Sequence, residues 1–389
     1  MKNSASFLRA ASGLALALVL AQSALAGELK FRKVTINADS KFSAAAAFDV
    51  DHDGDIDIIG GGIWYEAPDW TPHKIRDVEI FKADGNPDGY AAQPYDVNQD
   101  GWMDFIEVNY RTRSLKWIEN PGGTLGEWTA HTIAVPGSME SGRLVDIDDD
   151  GQIDLLPNGV RSPAWWQLIP KTLPDGSKTT EFVKHALPQE LASHGIAFGD
   201  INGDGRKDIV SGNGWAEAPL DRRINGTWKW HPEFEIGGVS VPFQVRDVDE
   251  DGDADLIYSI GHGYGIFWLE QGSEDGKRTW TKHDIDTTWS VAHYLMWADL
   301  DQNGRSEIIA GKRYQAHGTR DPGAADPQGI YSYEFDPKTK TWDKRVLSDD
   351  PLVGWGLDGK IVDVDKDGDL DLIAPGRSGL YLLENLLND

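Results

Sequence analysis

The sequence contains no cysteine, which excludes disulfide staples, thiolate metal ligands and thiol nucleophiles. It is short of positive charge: 37 Lys and Arg stand against 64 Asp and Glu, a net charge of −27. A chain of that sign cannot release counterions from phosphates, so nucleic-acid and anionic-membrane binding are excluded as primary functions. Methionine is scarce, and no segment beyond the extreme N-terminus is long and apolar enough to span a bilayer or carries a helical apolar period. What is present is 40% hydrophobic residues, 16 Trp and 43 Gly, enough apolar surface for a packed core interrupted by many turns.

Residues 1–26 read as a secretory signal peptide. Lys2 and Arg9 form its basic start, Leu14 to Leu20 a short apolar run, and Ala24-Leu25-Ala26 the small residues before a cleavage point. Cleavage near Ala26 predicts a periplasmic or secreted protein, with residues 27–389 as its one folded domain and no membrane span.

One motif recurs seven times: Asp-x-Asp/Asn-x-Asp/Asn-Gly-x-x-Asp/Glu. Its copies are Asp49-Asp51-Asp53-Asp57, Asp96-Asn98-Asp100-Asp104, Asp146-Asp148-Asp150-Asp154 and Asp200-Asn202-Asp204-Asp208. They continue as Asp247-Asp249-Asp251-Asp255, Asp299-Asp301-Asn303-Glu307 and Asp363-Asp365-Asp367-Asp371. The starts are 47, 50, 54, 47, 52 and 64 residues apart, a repeat length that fits four short strands with their loops. An alternating stretch precedes each loop and an apolar strand follows it. A third, aromatic strand comes next (Ile63-Trp64-Tyr65, Phe267-Trp268-Leu269), then a fourth after a Trp (Trp128…His131-Thr132-Ile133). The reading is an all-β, seven-bladed β-propeller. The seventh repeat stops after its third strand, and Phe31–Ile36 is an orphan of the missing type. The N-terminal strand is therefore expected to complete the last blade and close the ring, hiding edge strands that would template aggregation.

Carboxylates at positions 1, 3, 5 and 9, with Gly at 6, suit a hard cation held by oxygens. The seven loops hold 25 of the 64 acidic residues, so the expectation is up to seven structural Ca²⁺ ions. The alternative is metal-free Asx turns, most plausible for the sixth loop, where Asn303 and Glu307 weaken the cage.

These loops make the chain resemble FG-GAP/VCBS-type propellers, and Phe198-Gly199-Asp200 matches that family's name-giving start. A narrower likeness spans about 190–335. It runs through Ser193-His194-Gly195, Gly261-His262-Gly263-Tyr264-Gly265, Ala292-His293-Tyr294, Gly311-Lys312-Arg313-Tyr314 and His317, to Asp321-Pro322-Gly323. This stretch is similar to the propeller domain of aldos-2-ulose (1,5-anhydro-D-fructose) dehydratases, which continue into cupin-like domains. The resemblance implies elimination of water from a keto-sugar with a divalent metal, and adds Tyr264 to the candidate residues.

Position in the repeat sorts the ten histidines. His73, His131, His185 and His283 recur at one place in the fourth strand, with His231 close to it, and read as structural. His52 lies in the first acidic loop. His194, His262, His293 and His317 do not repeat. His194, His293 and Glu140 each stand six residues before the first loop Asp, at the start of a first strand. His262, Lys312, Arg313 and His317 lie in loops between second and third strands. All of these, with Arg143, are expected on the face away from the acidic loops, at the mouth of the central channel. The chemistry expected of them is proton removal next to a carbonyl by His293 and His317. His194, His262 and Glu140 would hold a catalytic Zn²⁺, Mg²⁺ or Mn²⁺. Lys312, Arg313 and Arg143 would provide cationic support. Trp289, Trp297 and Trp355 are sugar-stacking or core residues. The function expected is a sugar lyase or dehydratase. The alternatives are a non-catalytic Ca²⁺-stabilised propeller binding glycan or protein, and a polysaccharide lyase acting on uronates.

Overall fold

The computed structural model describes residues 29–81 and 85–388; the expected signal peptide lies outside them. Among the described residues there are seven four-stranded antiparallel sheets arranged as the blades of a propeller. Six take their strands in sequence order. The seventh is built from Lys360–Val362, Asp371–Gly376 and Gly379–Asn385, and its outer strand is Phe31–Asn37 from the opposite end of the chain. Phe31 pairs with Asn385 and Thr35 with Tyr381. The innermost strands meet as well: Ala44 and Asp358 form a parallel bridge between blades one and seven. No helix of the described residues is long and apolar enough to cross a membrane.

Alternation along each strand explains how the blades pack. Successive side chains point to opposite faces of a sheet, so every strand serves two interfaces. Ala46, Phe48 and Ile59 pack with Ala92, Phe105 and Ile118 of blade two. Their neighbours Ala45 and Ile58 pack with Ile373, Leu380 and Leu382 of blade seven. Each buried aliphatic or aromatic side chain contributes about 1.5–3 kcal/mol, and the core is distributed around the ring.

The acidic turns repeat in detail. The first Asp of each loop accepts the N–H of the Gly at position 6, at 3.1 Å for Asp49–Gly54 and 2.8 Å for Asp200–Gly205. That Gly is left-handed in all seven loops, with φ between 83° and 101°, where a Cβ is disfavoured. The acid at position 9 is buried and staples the turn to the blade. Asp57 accepts from Val50 N–H at 3.0 Å and Ala67 N–H at 2.8 Å, and Asp371 from Val364 and Asn385 at 2.7 and 2.8 Å.

A second repeat links the outer strands to these loops. The fourth-strand histidine meets a third-strand carboxylate: His73–Glu66 at 2.6 Å, His131–Glu119 at 2.7 Å, His231–Glu217 at 2.8 Å and His283–Glu270 at 2.6 Å. Each ring also lies against a Trp, as Trp215–His231 at 4.1 Å. Blade three substitutes Gln167 for the acid, blade six Arg345 for the base, and blade seven uses Arg32 of the closing strand with Glu384.

Candidate functional site

Six residues before each loop Asp, the seven first strands present Ser43, Tyr90, Glu140, His194, Val241, His293 and Leu357. Three of these carry the chemistry, joined by His262 from the second-to-third-strand loop of blade five. The rings of His194, His262 and His293 form a near-equilateral triangle, with centroids 4.9, 4.9 and 4.8 Å apart and edge-on packing. His194 Nε2 is 3.2 Å from His262 Nε2. Glu140 Oε2 lies 3.5 Å from His194 Nε2 and 3.4 Å from His293 Nε2.

The outward nitrogens explain why the inner ones converge. His194 Nδ1 is held by the carbonyl of Val239 at 2.6 Å, and His262 Nδ1 faces Asp321 Oδ2 at 3.5 Å. Backing of this kind orients imidazoles that ligate metals through the other nitrogen. Asn158 fixes the carboxylate side. Its carbonyl oxygen accepts from Glu140 N–H at 2.6 Å and Ser141 N–H at 2.9 Å, and its amide donates to His194 O at 2.7 Å. Glu140 Oε2 and both ring nitrogens of His293 are buried without a hydrogen-bond partner, a costly state for polar atoms, and Glu140 Oε2 and His293 Nε2 face each other across 3.4 Å. Four-coordinate metal–nitrogen bonds of about 2.0–2.1 Å place neighbouring ligand atoms about 3.3 Å apart, close to the His194–His262, His194–Glu140 and His293–Glu140 separations, and the three imidazoles each bring a nitrogen within 4.8 Å of the others. The donor set fits a divalent transition ion.

Electrostatics agree with that arrangement. Burial raises the Glu140 carboxyl, but His194, Arg313 and His262 outweigh it and hold it at about 2. Burial lowers His194, but Glu140 outweighs it and the imidazole is raised. Burial and the neighbouring cationic groups bring His262 down to about 4 and His293 well below its usual value, the neutral form a ligand requires.

The remaining candidates divide differently from the expectation. His293 belongs with the ligand group: it is fully buried and points at Glu140, so it is not a base open to substrate. His317 is exposed, and its Nδ1 is held by Asp321 Oδ1 at 3.0 Å. The guanidinium of Arg313 is buried with its charge beside Glu140, Tyr90 and Asp321. Lys312, the residue before it and the last of its strand, is buried, and its ammonium donates to the Ser290 hydroxyl at 2.9 Å and carbonyl at 3.1 Å, tying two strands together. Arg143, half-buried at the start of its strand, has Tyr294 and Arg246 as its charged neighbours. Tyr264 is exposed and donates to Asp326 Oδ2 at 3.2 Å. Trp289 and Trp355 are buried core residues, and Trp297 packs against the interface of blades five and six.

On the opposite face, three carboxylate oxygens converge within 4.8 Å in the loops of Asp49-Asp51-Asp53, Asp146-Asp148-Asp154 and Asp247-Asp249-Asp251. Asp49 Oδ1, Asp146 Oδ1, Asp249 Oδ1 and Asp363 Oδ1 are buried and unpartnered. Burial pushes the ninth-position carboxyls up, to about 6 in Asp57 and Asp104 and about 7 in Asp154, Asp208, Asp255, Glu307 and Asp371. The donor set fits a hard cation. The sixth loop differs, because Arg345 already reaches Asp301 at 2.5 Å and Glu307 at 3.6 Å.

Comparison with known proteins matches residues 96–156, from the second acidic loop into blade three, to the FG-GAP-like repeat. The chain is thus a seven-bladed propeller carrying an FG-GAP-like repeat. No curated protein matches it. Similar solved structures include a lectin of Agrocybe aegerita that recognises non-reducing terminal N-acetylglucosamine, at 16% identity over 90% of this chain and 92% of that one, TM-score 0.46. Another is the exotype rhamnogalacturonan lyase YesX, at 12% identity over 92% of this chain and 75% of that one, TM-score 0.49.

Proposed function

We propose that the protein is an extracytoplasmic, metal-dependent carbohydrate lyase that eliminates water, or an alkoxide leaving group, from a sugar bearing a carbonyl next to an acidic C–H. The observation that carries this reading is the cluster of His194, His262 and His293, whose ring nitrogens lie within 4.8 Å of one another, with the buried Glu140 Oε2 at 3.4–3.5 Å from two of them. Three imidazoles favour Zn²⁺ or Mn²⁺ over Mg²⁺. An ion held by these groups would supply Lewis-acid polarisation of a substrate carbonyl only by accepting that oxygen as a fifth ligand or in place of Glu140.

The chain's own groups support the remaining steps. Asp321 holds His317 through Nδ1, leaving Nε2 to take the proton from the carbon beside the carbonyl. Asp321 faces both His317 and His262, so one carboxylate orients the base and a ligand together. Arg313 places positive charge where a substrate oxygen would gain negative charge. As the C–H and C–O bonds break, the proton resides on His317 and the oxygen leaves with a proton from solvent. Exposed Tyr264 and Tyr314 offer ring faces to a sugar. In this reading the acidic loops hold structural Ca²⁺ and residues 1–26 direct export.

The test is elimination itself. Protein purified with and without Zn²⁺ or Mn²⁺ is offered 1,5-anhydro-fructose, other keto-sugars and uronate oligomers, and the absorbance of an unsaturated carbonyl product is followed. Metal-dependent product on any of these supports the lyase. Its absence on all of them, in metal-loaded protein, leaves a carbohydrate-binding propeller.

A further inference from the structure

Beside the histidine cluster, on the same face, a cavity of about 200 Å³ opens between blades two and three, lined by Tyr110, Arg111, Arg113, Ser138, Val160 and Arg161. Three of its six lining residues are arginines and none is acidic, in a chain whose net charge is −27. Arg113 and Arg161 are exposed, and neither side chain makes a hydrogen bond or ion pair among the described residues. Arg113 also has a positive φ of 59°, which bears on the choice of substitution there.

The cavity's lining is tied through the chain to the residues of the candidate metal centre. Ser138 lies two residues before Glu140, and Val160 two residues after Asn158, the side chain that holds Glu140 and His194. Tyr110 stacks on Tyr90, with centroids 5.6 Å apart. Tyr90 in turn lines a small cleft with Arg313. Tyr110, which is half-buried, thus lies between the arginines and the buried Tyr90–Arg313 side of the candidate centre.

We infer that this cavity is an anion subsite for a carboxylated sugar, so that the substrate is a uronate-containing oligosaccharide rather than a neutral monosaccharide. The inference rests on the carbohydrate reading of the neighbouring site and specifies its substrate class. A guanidinium fork matches a carboxylate in two parallel hydrogen bonds. Arg113 and Arg161, exposed and without acidic partners among the described residues, would also draw a polyanion onto a protein that otherwise repels it.

The experiment is calorimetric titration of the full-length chain with tetragalacturonate, its carboxyl-reduced neutral counterpart, and a sulfated oligosaccharide of similar length. Wild-type protein should bind the uronate with an affinity that falls with salt, and the neutral counterpart at least tenfold more weakly. R161A alone should weaken uronate binding about tenfold, and R113N/R161A further, with unchanged melting temperature and unchanged metal content. Asn is chosen at 113 because it tolerates the left-handed backbone. Equal binding of the neutral sugar, a preference for the sulfated one, or uronate binding undiminished in both variants would overturn the inference. Metal content separates the two readings. Arginine-dependent uronate binding by a protein that takes up no Zn²⁺ or Mn²⁺ sinks the metal centre and leaves the subsite; metal uptake with arginine-independent binding does the reverse.

Discussion

Arg32 and Glu384, separated by 352 positions in the chain, pair with Arg32 Nε 2.9 Å from Glu384 Oε2. They stand where blades one, two, four and five have a histidine and a glutamate. The first and last strands of the fold are thus joined by the same outer-strand contact that each blade uses internally.

Removing residues 27–37 is expected to leave Gly379–Asn385 as an open edge and to produce aggregation or a large fall in melting temperature, whereas removing 27–29 is tolerated. Arg32→Ala alone, a half-exposed pair, should cost about 0.5–1 kcal/mol in urea unfolding. A truncated chain that melts like the intact one would show that closure does not depend on this strand.

Chelation should destabilise the fold and Ca²⁺ should restore it. Each occupied loop contributes about 1.4 kcal/mol at tenfold excess over its dissociation constant. Blade six should contribute least, because Arg345 already neutralises Asp301 and Glu307. Melting curves with chelator and with millimolar Ca²⁺ decide this, and superimposable curves sink the structural-cation proposal.

Asp358 joins three blades at the channel. Its buried carboxylate accepts from Ala92 N–H at 2.8 Å, Gln93 at 2.9 Å, Tyr294 at 3.2 Å and Lys360 at 2.5 Å. Asp358→Ala strands those donors and should cost about 3–5 kcal/mol; Asp358→Asn, which keeps one acceptor oxygen, should cost less. Denaturant midpoints at constant m-value test it, and a loss below about 1 kcal/mol would falsify the clip.

His194→Ala, His293→Ala and Glu140→Gln should each abolish bound transition metal as measured by elemental analysis. His317→Ala should retain the metal and lose about 10²–10⁴-fold in elimination rate. His131→Ala, which breaks a blade contact, should lower stability and leave the metal in place. Metal retained in all three ligand variants would remove the centre.

The repeat made the blades, their order and the face of each unrepeated histidine readable, because offset from the loop Asp is a coordinate in the fold. Glu140, His194 and His293 share one offset, and the structure brings them together. Lys312 ends its strand and Arg313 lies just beyond it, and the two have different partners, Ser290 for one and the charge of Glu140 for the other, a distinction that spacing by whole loops ignores. Asn158 and Asp358 gave no signal, since an isolated polar residue beside glycines reads as a turn. The third-strand glutamates did leave one: Glu66, Glu119, Glu217 and Glu270 each follow an aromatic strand core.

The ring of residues six places before the acidic turns draws one side chain from each blade, and none of the seven is shared with the turn staples or the outer-strand pairs. The mouth therefore works like a combination dial: each blade offers one position whose setting can change without disturbing the mechanism that holds the wheel together. A catalyst, a lectin and an inert scaffold could differ by a few settings on that dial, with the same 28 strands beneath it.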